Sequence, residues 1–292
     1  MITGSYVALV TPMTEAGEVD YAAYEHLLEW HLQEQTDGFV ILGTTAESPT
    51  ITATERLKII QRTLAVVNKN KPVIVGTGSN STQHSIEMTR QAYELGADAA
   101  LLITPYYNKP TQEGLFLHHK AIAEAVSIPQ ILYNNPTRTC CDLLPETVKR
   151  ISAFSNVVAL KETVADVKRY EYILRETSLK LLSGSDGDAL DLLCAGGHGV
   201  ISVAANVVPR QFRELCHLAL AGKEQQARAL DQKLQPLFAA LFIESNPIPT
   251  KWALQQMGKI GKGIRLPLTW LEPQHEAVIR QALTDEDIRC VI

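Results

Sequence analysis

Lys161 closes the apolar run Val157-Val158-Ala159-Leu160. Burial penalises an ammonium ion, so a lysine in such surroundings falls below its free pKa of about 10.4 and offers a neutral amine to a carbonyl carbon. Lys71 and Lys180 stand before apolar runs rather than after them. A nucleophilic amine needs proton carriers, and a keto-acid substrate needs a group for its carboxylate. Gly43-Thr44-Thr45 offers backbone N–H groups in a tight turn together with hydroxyls that relay protons. Tyr106, Tyr107 and Tyr133 supply phenols, and Arg138, in Asn134-Asn135-Pro136-Thr137-Arg138-Thr139, supplies a guanidinium fork suited to a second carboxylate. Each has a bland alternative: a snorkelling lysine, threonines that cap a turn, tyrosines that pack, a solvated arginine. Only convergence at one place favours chemistry.

Convergence depends on the elements that carry these residues. Apolar or β-branched runs at Tyr6 to Thr11, Gly38 to Leu42, Val73 to Gly76, Ala99 to Ile103, Gln130 to Tyr133, Val157 to Lys161, Leu181 to Ser183 and Gly199 to Ser202 read as eight strands. Amphipathic stretches of helical length separate them. One is Thr54 to Asn68, with Leu57, Ile60, Leu64 and Val67 on one face and Thr52 and Glu55 spaced as a capping box. Eight alternations with near-continuous apolar strands predict a (β/α)8 barrel over residues 1–222. An open doubly wound sheet would advertise a glycine-rich turn after the first strand, where Thr11-Pro12-Met13-Thr14 stands instead. Residues 223–292 carry helical patterns only and predict a small C-terminal helical extension.

Barrel enzymes react at the C-terminal ends of their strands. Lys161, Thr44, Thr45, Tyr106, Tyr107, Tyr133 and Arg138 all fall there, whereas Lys71, Lys180 and His198 fall at the opposite face. Gly184 looks like a phosphate-loop glycine, but Val203-Ala204-Ala205-Asn206 after the last strand lacks the glycines of a barrel phosphate site, which disfavours a phosphorylated substrate. Asp186 and Asp188 resemble a metal pair, yet no Asp, Glu and His clustering calls for an obligatory metal, and no cofactor is expected.

Composition narrows the partners. A net charge of -5 and a pI near 5.9 leave no basic excess for nucleic acid. A small neutral or anionic metabolite fits better. The start, Met1-Ile2-Thr3-Gly4-Ser5, lacks the pattern of a secretory signal, and no run approaches ~18 apolar residues, so neither export nor a membrane span is expected and the cytoplasm is. Cys140, Cys141, Cys194, Cys216 and Cys290 form an odd set without metal-ligand spacing and read as free thiols.

Several ordered motifs resemble the dihydrodipicolinate synthase family of the N-acetylneuraminate lyase superfamily, over essentially the whole chain. They are Gly43-Thr44-Thr45-Ala46-Glu47-Ser48, Thr104-Pro105-Tyr106-Tyr107-Asn108, Tyr133 to Thr139, Leu160-Lys161-Glu162, and Gly197 to Val203. The resemblance implies that pyruvate forms an imine with Lys161, that the enamine attacks L-aspartate 4-semialdehyde, and that cyclisation releases a heterocycle on the diaminopimelate route to lysine. It makes Thr44, Tyr133 and Tyr107 the proton relay, Tyr107 entering the site of a neighbouring subunit. Thr45 would hold the pyruvate carboxylate, Arg138 that of the semialdehyde, and the Ile201 carbonyl would line the pocket. A homotetramer, a dimer of dimers, is implied. Two positions depart from the family: Ala46 and Cys140 stand where glycine is usual.

Lysine-inhibited members bind the amino acid at positions matching Ser48, Asn80, His84 and Tyr106. A carboxylate is usual at the position of His84, and a histidine cannot replace its pairing with an ammonium. Weak or absent lysine inhibition is therefore expected. Rivals are another pyruvate-dependent lyase, such as N-acetylneuraminate lyase or a 2-keto-3-deoxy sugar acid aldolase, and a non-catalytic keto-acid sensor. Arg138 favours the semialdehyde over a polyhydroxy chain, and simple binding needs no activated amine.

Overall fold

Strands β1 (Gly4–Ala8), β2 (Gly38–Ile41), β3 (Val73–Gly76), β4 (Ala99–Ile103), β5 (Gln130–Asn134), β6 (Val157–Glu162), β7 (Lys180–Ser183) and β8 (Gly199–Ser202) pair in parallel, each with the next, and β8 returns to β1. The result is the closed barrel expected from the sequence. The coordinates are a computed structural model that describes residues 2–286 and 288; Cys290 lies outside the described residues.

Closure follows from burial on both faces. Inward side chains, among them Tyr6, Ala8, Ile74, Leu101, Ala159 and Leu182, fill the barrel, while outward ones such as Val7, Phe39, Leu132 and Leu160 pack against helices. Both faces of each strand are apolar, as parallel sheets require.

Helices α1 (Tyr21–Gln33), α2 (Ala53–Val67), α3 (Thr82–Leu95) and α4 (Gln112–Ala125) follow the first four strands. The capping box at Thr52 is present, with Thr52 N donating to Glu55 Oε2 at 2.9 Å. Further on come α5 (Pro136–Thr139), α6 (Pro145–Ile151), α7 (Val167–Glu176), α8 (Ala189–Cys194) and α9 (Pro209–Leu220). Then α10 (Glu224–Ala240), α11 (Ile248–Gln256) and α12 (Pro273–Asp285) pack on the barrel, and one apolar cluster runs from Leu9 and Val10 to Leu237, Trp252 and Leu283.

The first strand differs from its expected bounds. It begins at Gly4, whose φ of 91° suits glycine, and ends at Ala8. Leu9 still donates its N–H to Val40 O of β2 at 2.9 Å, but Val10 donates to Asn206 Oδ1 at 3.1 Å, so the chain leaves the ladder there toward the segment after β8. Periodicity also missed the 3-10 turns Thr44–Ala46 and Ser48–Thr50 and the one-turn α5, of which the first and the last carry cavity residues.

Candidate active site

Thr44, Thr45, Tyr133, Arg138 and Lys161 line one small cavity at the C-terminal ends of the strands. Its free volume is about 50 Å³. A water molecule needs ~10–15 Å³ by this measure, so the space suits a molecule of only a few heavy atoms.

Lys161 is two residues beyond Ala159, which faces the barrel interior, and side chains alternate along a strand, so its stem rises from that interior. It is 6% exposed. Tyr133 is its register partner on β5, and Lys161 Nζ lies 4.1 Å from the centre of the Tyr133 ring. Glu162, next along β6, faces outward and is fully enclosed. It accepts hydrogen bonds from Arg169 Nε at 2.7 Å, from Asn134 Nδ2 at 2.9 Å and from the N–H groups of Thr163 and Val164. Burial raises its pKa despite Arg169. This network holds the end of β6, and therefore Lys161, against β5 and α7.

The phenol of Tyr133 is tuned by its neighbours. Burial alone would push its pKa up; Lys161, a hydrogen bond from Asn135, Arg138 and Thr44 outweigh burial and lower it. Asn135 Nδ2 donates to Tyr133 Oη at 3.0 Å, and Asn135 Oδ1 accepts from Thr137 Oγ1 at 2.7 Å and Arg138 N at 3.3 Å. One amide thus fixes both the phenol and the short α5 that carries Arg138. Arg138 Nη2 donates to Asn246 O at 3.2 Å, and Asn246 Nδ2 donates to Thr45 Oγ1 at 2.9 Å. From the loop before α11, Asn246 thus links Arg138 to Thr45.

Thr44 and Thr45 open a 3-10 turn, whose first N–H groups have no acceptor within it. Ala46 lies inside that right-handed turn and needs no glycine; the left-handed residue is Glu47, at φ 57°. Cys140 does hold a left-handed conformation, φ 53°, at the end of α5.

Phe242 and Asn246, which the sequence did not point to, line the cavity too, as do Asn135, Gly184 and Val203, which it named without giving them a part in this site. Gly184 lies so close that a Cβ there would stand 2.7 Å from Lys161 Cε. The Ile201 side chain is wholly buried in the barrel interior, and Val203, two residues on, lines the cavity. Tyr107 is also absent from the cavity, 87% exposed with φ 73°. Tyr106 is partly exposed beside it, and Asn108 ties this loop to Asn80 by donating from Nδ2 to Asn80 O at 2.8 Å. Ser48 opens the second 3-10 turn, and His84, on exposed α3, has Nδ1 3.8 Å from Glu87 Oε2.

The two aspartates that resemble a metal pair have structural work, Asp188 Oδ2 accepting from Ser185 Oγ at 2.9 Å. Asp186 is buried and accepts from Val203 N at 3.1 Å and Ala204 N at 2.7 Å. His198 Nδ1 accepts from Leu181 N at 3.2 Å, on the face opposite the cavity. One clustering escaped the sequence: ligand atoms of Glu244, Glu272 and His275 lie within 4.8 Å of one another, outside the cavity. No helix among the described residues is long and apolar enough to cross a membrane.

Comparison with known proteins agrees with the geometry. The model of the dihydrodipicolinate synthetase family matches residues 1–286. A 4-hydroxy-tetrahydrodipicolinate synthase of Coxiella burnetii (strain RSA 493 / Nine Mile phase I) is 60% identical over 290 residues, 99% of this chain and 100% of that one. The crystal structure of a chloride-inhibited dihydrodipicolinate synthase from Acinetobacter baumannii complexed with pyruvate superposes with a TM-score of 0.97 at 48% identity, covering 99% of this chain and 100% of that one. A dihydrodipicolinate synthase from Cyanidioschyzon merolae with lysine bound gives 0.95 at 36% identity, over 98% of each chain.

Proposed function

The chain belongs to the dihydrodipicolinate synthetase family, and from this premise we infer that it condenses pyruvate with L-aspartate 4-semialdehyde, the 4-hydroxy-tetrahydrodipicolinate synthase reaction of the diaminopimelate route to lysine. The enzyme is a Schiff-base lyase. The observation that carries this reading is the enclosed Lys161 amine against the Tyr133 ring at the wall of a very small cavity.

Lys161 Nζ attacks the ketone carbon of pyruvate, and loss of water gives the imine. A proton leaves the methyl carbon, and the enamine carbon bonds to the aldehyde carbon of the semialdehyde. The semialdehyde's own amine then attacks the imine carbon, closing the ring and releasing Lys161. Each step moves protons, for which Tyr133 and Thr44 are the carriers: the lowered phenol pKa brings the tyrosine nearer to exchange with its surroundings. The unpartnered N–H groups at Thr44 and Thr45 receive the pyruvate carboxylate. Arg138, tethered by Asn246 O, receives the carboxylate of the semialdehyde.

The exposure of Tyr107 fits a residue that serves another subunit's site, in a homotetramer built as a dimer of dimers. Ser48, Asn80, His84 and Tyr106 form the proposed regulatory position, and the Ile201 carbonyl is assigned to the pocket floor. Residues 1–222 act as the catalytic barrel and 223–292 as an extension that braces its mouth through Asn246. The enzyme works in the cytoplasm without cofactor or metal.

The decisive experiment is intact-mass spectrometry after incubation with pyruvate and sodium borohydride, with peptide mapping and a Lys161→Ala control. One adduct on Lys161, absent in the variant, is expected; none, or one on another lysine, overturns the reading. Parallel assays with L-aspartate 4-semialdehyde and with sialic acid then separate synthase from sugar-acid lyase.

A further inference from the structure

A second, roomier cavity lies at the other end of the barrel. It encloses about 630 Å³ where β3, β4, β6 and β7 begin, well apart from Lys161 at the opposite end of β6. Sites that bury small organic ligands span ~300–1,000 Å³.

Its two kinds of lining are segregated. The floor is apolar: Ile74 and Ala99 belong to the barrel-interior cluster, and Ile2 and Val158 pack on it. The rim is cationic, with Lys69, Lys71 and Lys180 against the single carboxylate of Asp98. Three lysines and one aspartate give a rim of +2 in a chain of net charge -5, so this is a positive patch on an acidic protein.

That charge is only partly neutralised. Asp98 Oδ2 accepts from Val73 N at 2.8 Å and its Oδ1 lies 3.9 Å from Lys69 Nζ, which also donates to Gly96 O at 3.1 Å. Lysine ion pairs among the described residues involve Lys69, Lys120, Lys149, Lys233 and Lys251, which leaves Lys71 and Lys180 without one. Both are half-buried, so their ammonium groups are held beside the apolar floor rather than free in bulk water. The field of Lys180 reaches His198, where burial and then Lys180 lower the imidazole pKa.

We propose that this cavity is a second ligand site, for an organic anion with an apolar body whose acidic group pairs with Lys71 and Lys180 while its ring or chain lies on the floor of Ile2, Ile74 and Ala99. The site is independent of the reaction and does not compete with pyruvate. An anion without an apolar body would forgo the floor, and an apolar molecule without a charge would leave both ammonium groups unpaired.

The probe is 8-anilinonaphthalene-1-sulfonate, titrated by fluorescence into the folded full-length enzyme. We expect one saturable site per chain, unaffected by saturating pyruvate. The Lys71→Ala/Lys180→Ala variant is expected to bind about tenfold more weakly, since each partly exposed ion pair contributes modestly. Turnover and melting temperature of that variant should match the parent, because neither lysine touches the reaction site. Absence of a saturable site, equal affinity in parent and variant, or displacement by pyruvate overturns the proposal.

Discussion

Lys251 Nζ and Glu47 Oε1 lie 2.5 Å apart with side chains 0% and 1% exposed. The pair joins α11 to the residue that leaves the Thr44–Ala46 turn, and Glu47 Oε2 further accepts from Arg265 N at 3.0 Å. Burial lowers the pKa of Lys251 and Glu47 only partly offsets it. The turn that carries Thr44 and Thr45 is thus fastened to the C-terminal helices by a charge pair out of contact with water.

Removing one member of such a pair strands the other, at a cost of about 3–5 kcal/mol. Lys251→Met and Glu47→Gln should each lose stability on that scale and raise the KM for pyruvate, because the turn carrying Thr45 loses its anchor. The double variant should recover part of the stability. Urea unfolding and steady-state kinetics measure both; a double variant as unstable as the sum of the singles would show the two residues to be energetically independent.

Gly184 tests the placement of Lys161. A methyl group there would meet Lys161 Cε and Thr163 Cγ2, each at 2.7 Å, so Gly184→Ala must push the lysine aside. Displacement of a reacting group by about 1 Å costs on the order of 10²-fold, the fall in kcat expected here. Overpacking adds a stability loss of ~1–3 kcal/mol. Parental turnover in the folded variant would mean that Lys161 reacts from another position.

These relationships explain which features could be read in advance. The barrel was legible because parallel strands buried on both faces appear as apolar runs, and Lys161 because it follows such a run at a strand's C-terminal end. The supports of the site were not, because they join distant segments: Asn246 to Thr45 spans 201 positions and Lys251 to Glu47 spans 204. Asn135 was visible in its motif, but its double role needs Tyr133 Oη and Arg138 N in space. That Ala46 departs from the family's usual glycine without strain could not be read from the sequence, because it depends on the left-handed residue falling one position later, at Glu47.

We propose that lysine sensitivity turns on His84. Its Nδ1 stands 3.8 Å from Glu87 Oε2, so the one carboxylate beside it on α3 is already engaged by the imidazole when that is protonated. Half-inhibition at sub-millimolar lysine is therefore not expected. His84→Glu supplies the missing partner for an ammonium and should increase sensitivity about tenfold. Inhibition curves for the two proteins decide; sub-millimolar inhibition of the parent would refute the assignment.

Acid should destabilise the protein through buried histidines. Burial lowers His31 to about 3, His118 to about 4 and His119, assisted by His118, to about 3, from an ordinary value of 6.5. Neither ring nitrogen of His119 has a hydrogen-bond partner, and His31 Nε2 and His118 Nε2 also lack one. Above pH 6.5 the imidazoles are neutral in folded and unfolded chains and cost nothing. As the pH falls below 6.5 the unfolded chain takes up protons that the folded one refuses, so stability drops until the folded values near 3 to 4 are reached. At about one unit below the ordinary value each histidine costs ~1.4 kcal/mol, or roughly 4 kcal/mol for the three, against a total stability of ~5–15 kcal/mol. His119→Phe removes one of the three, so urea unfolding across this range should show the pH slope reduced by one proton; an unchanged slope would mean that His119 titrates alike in both states.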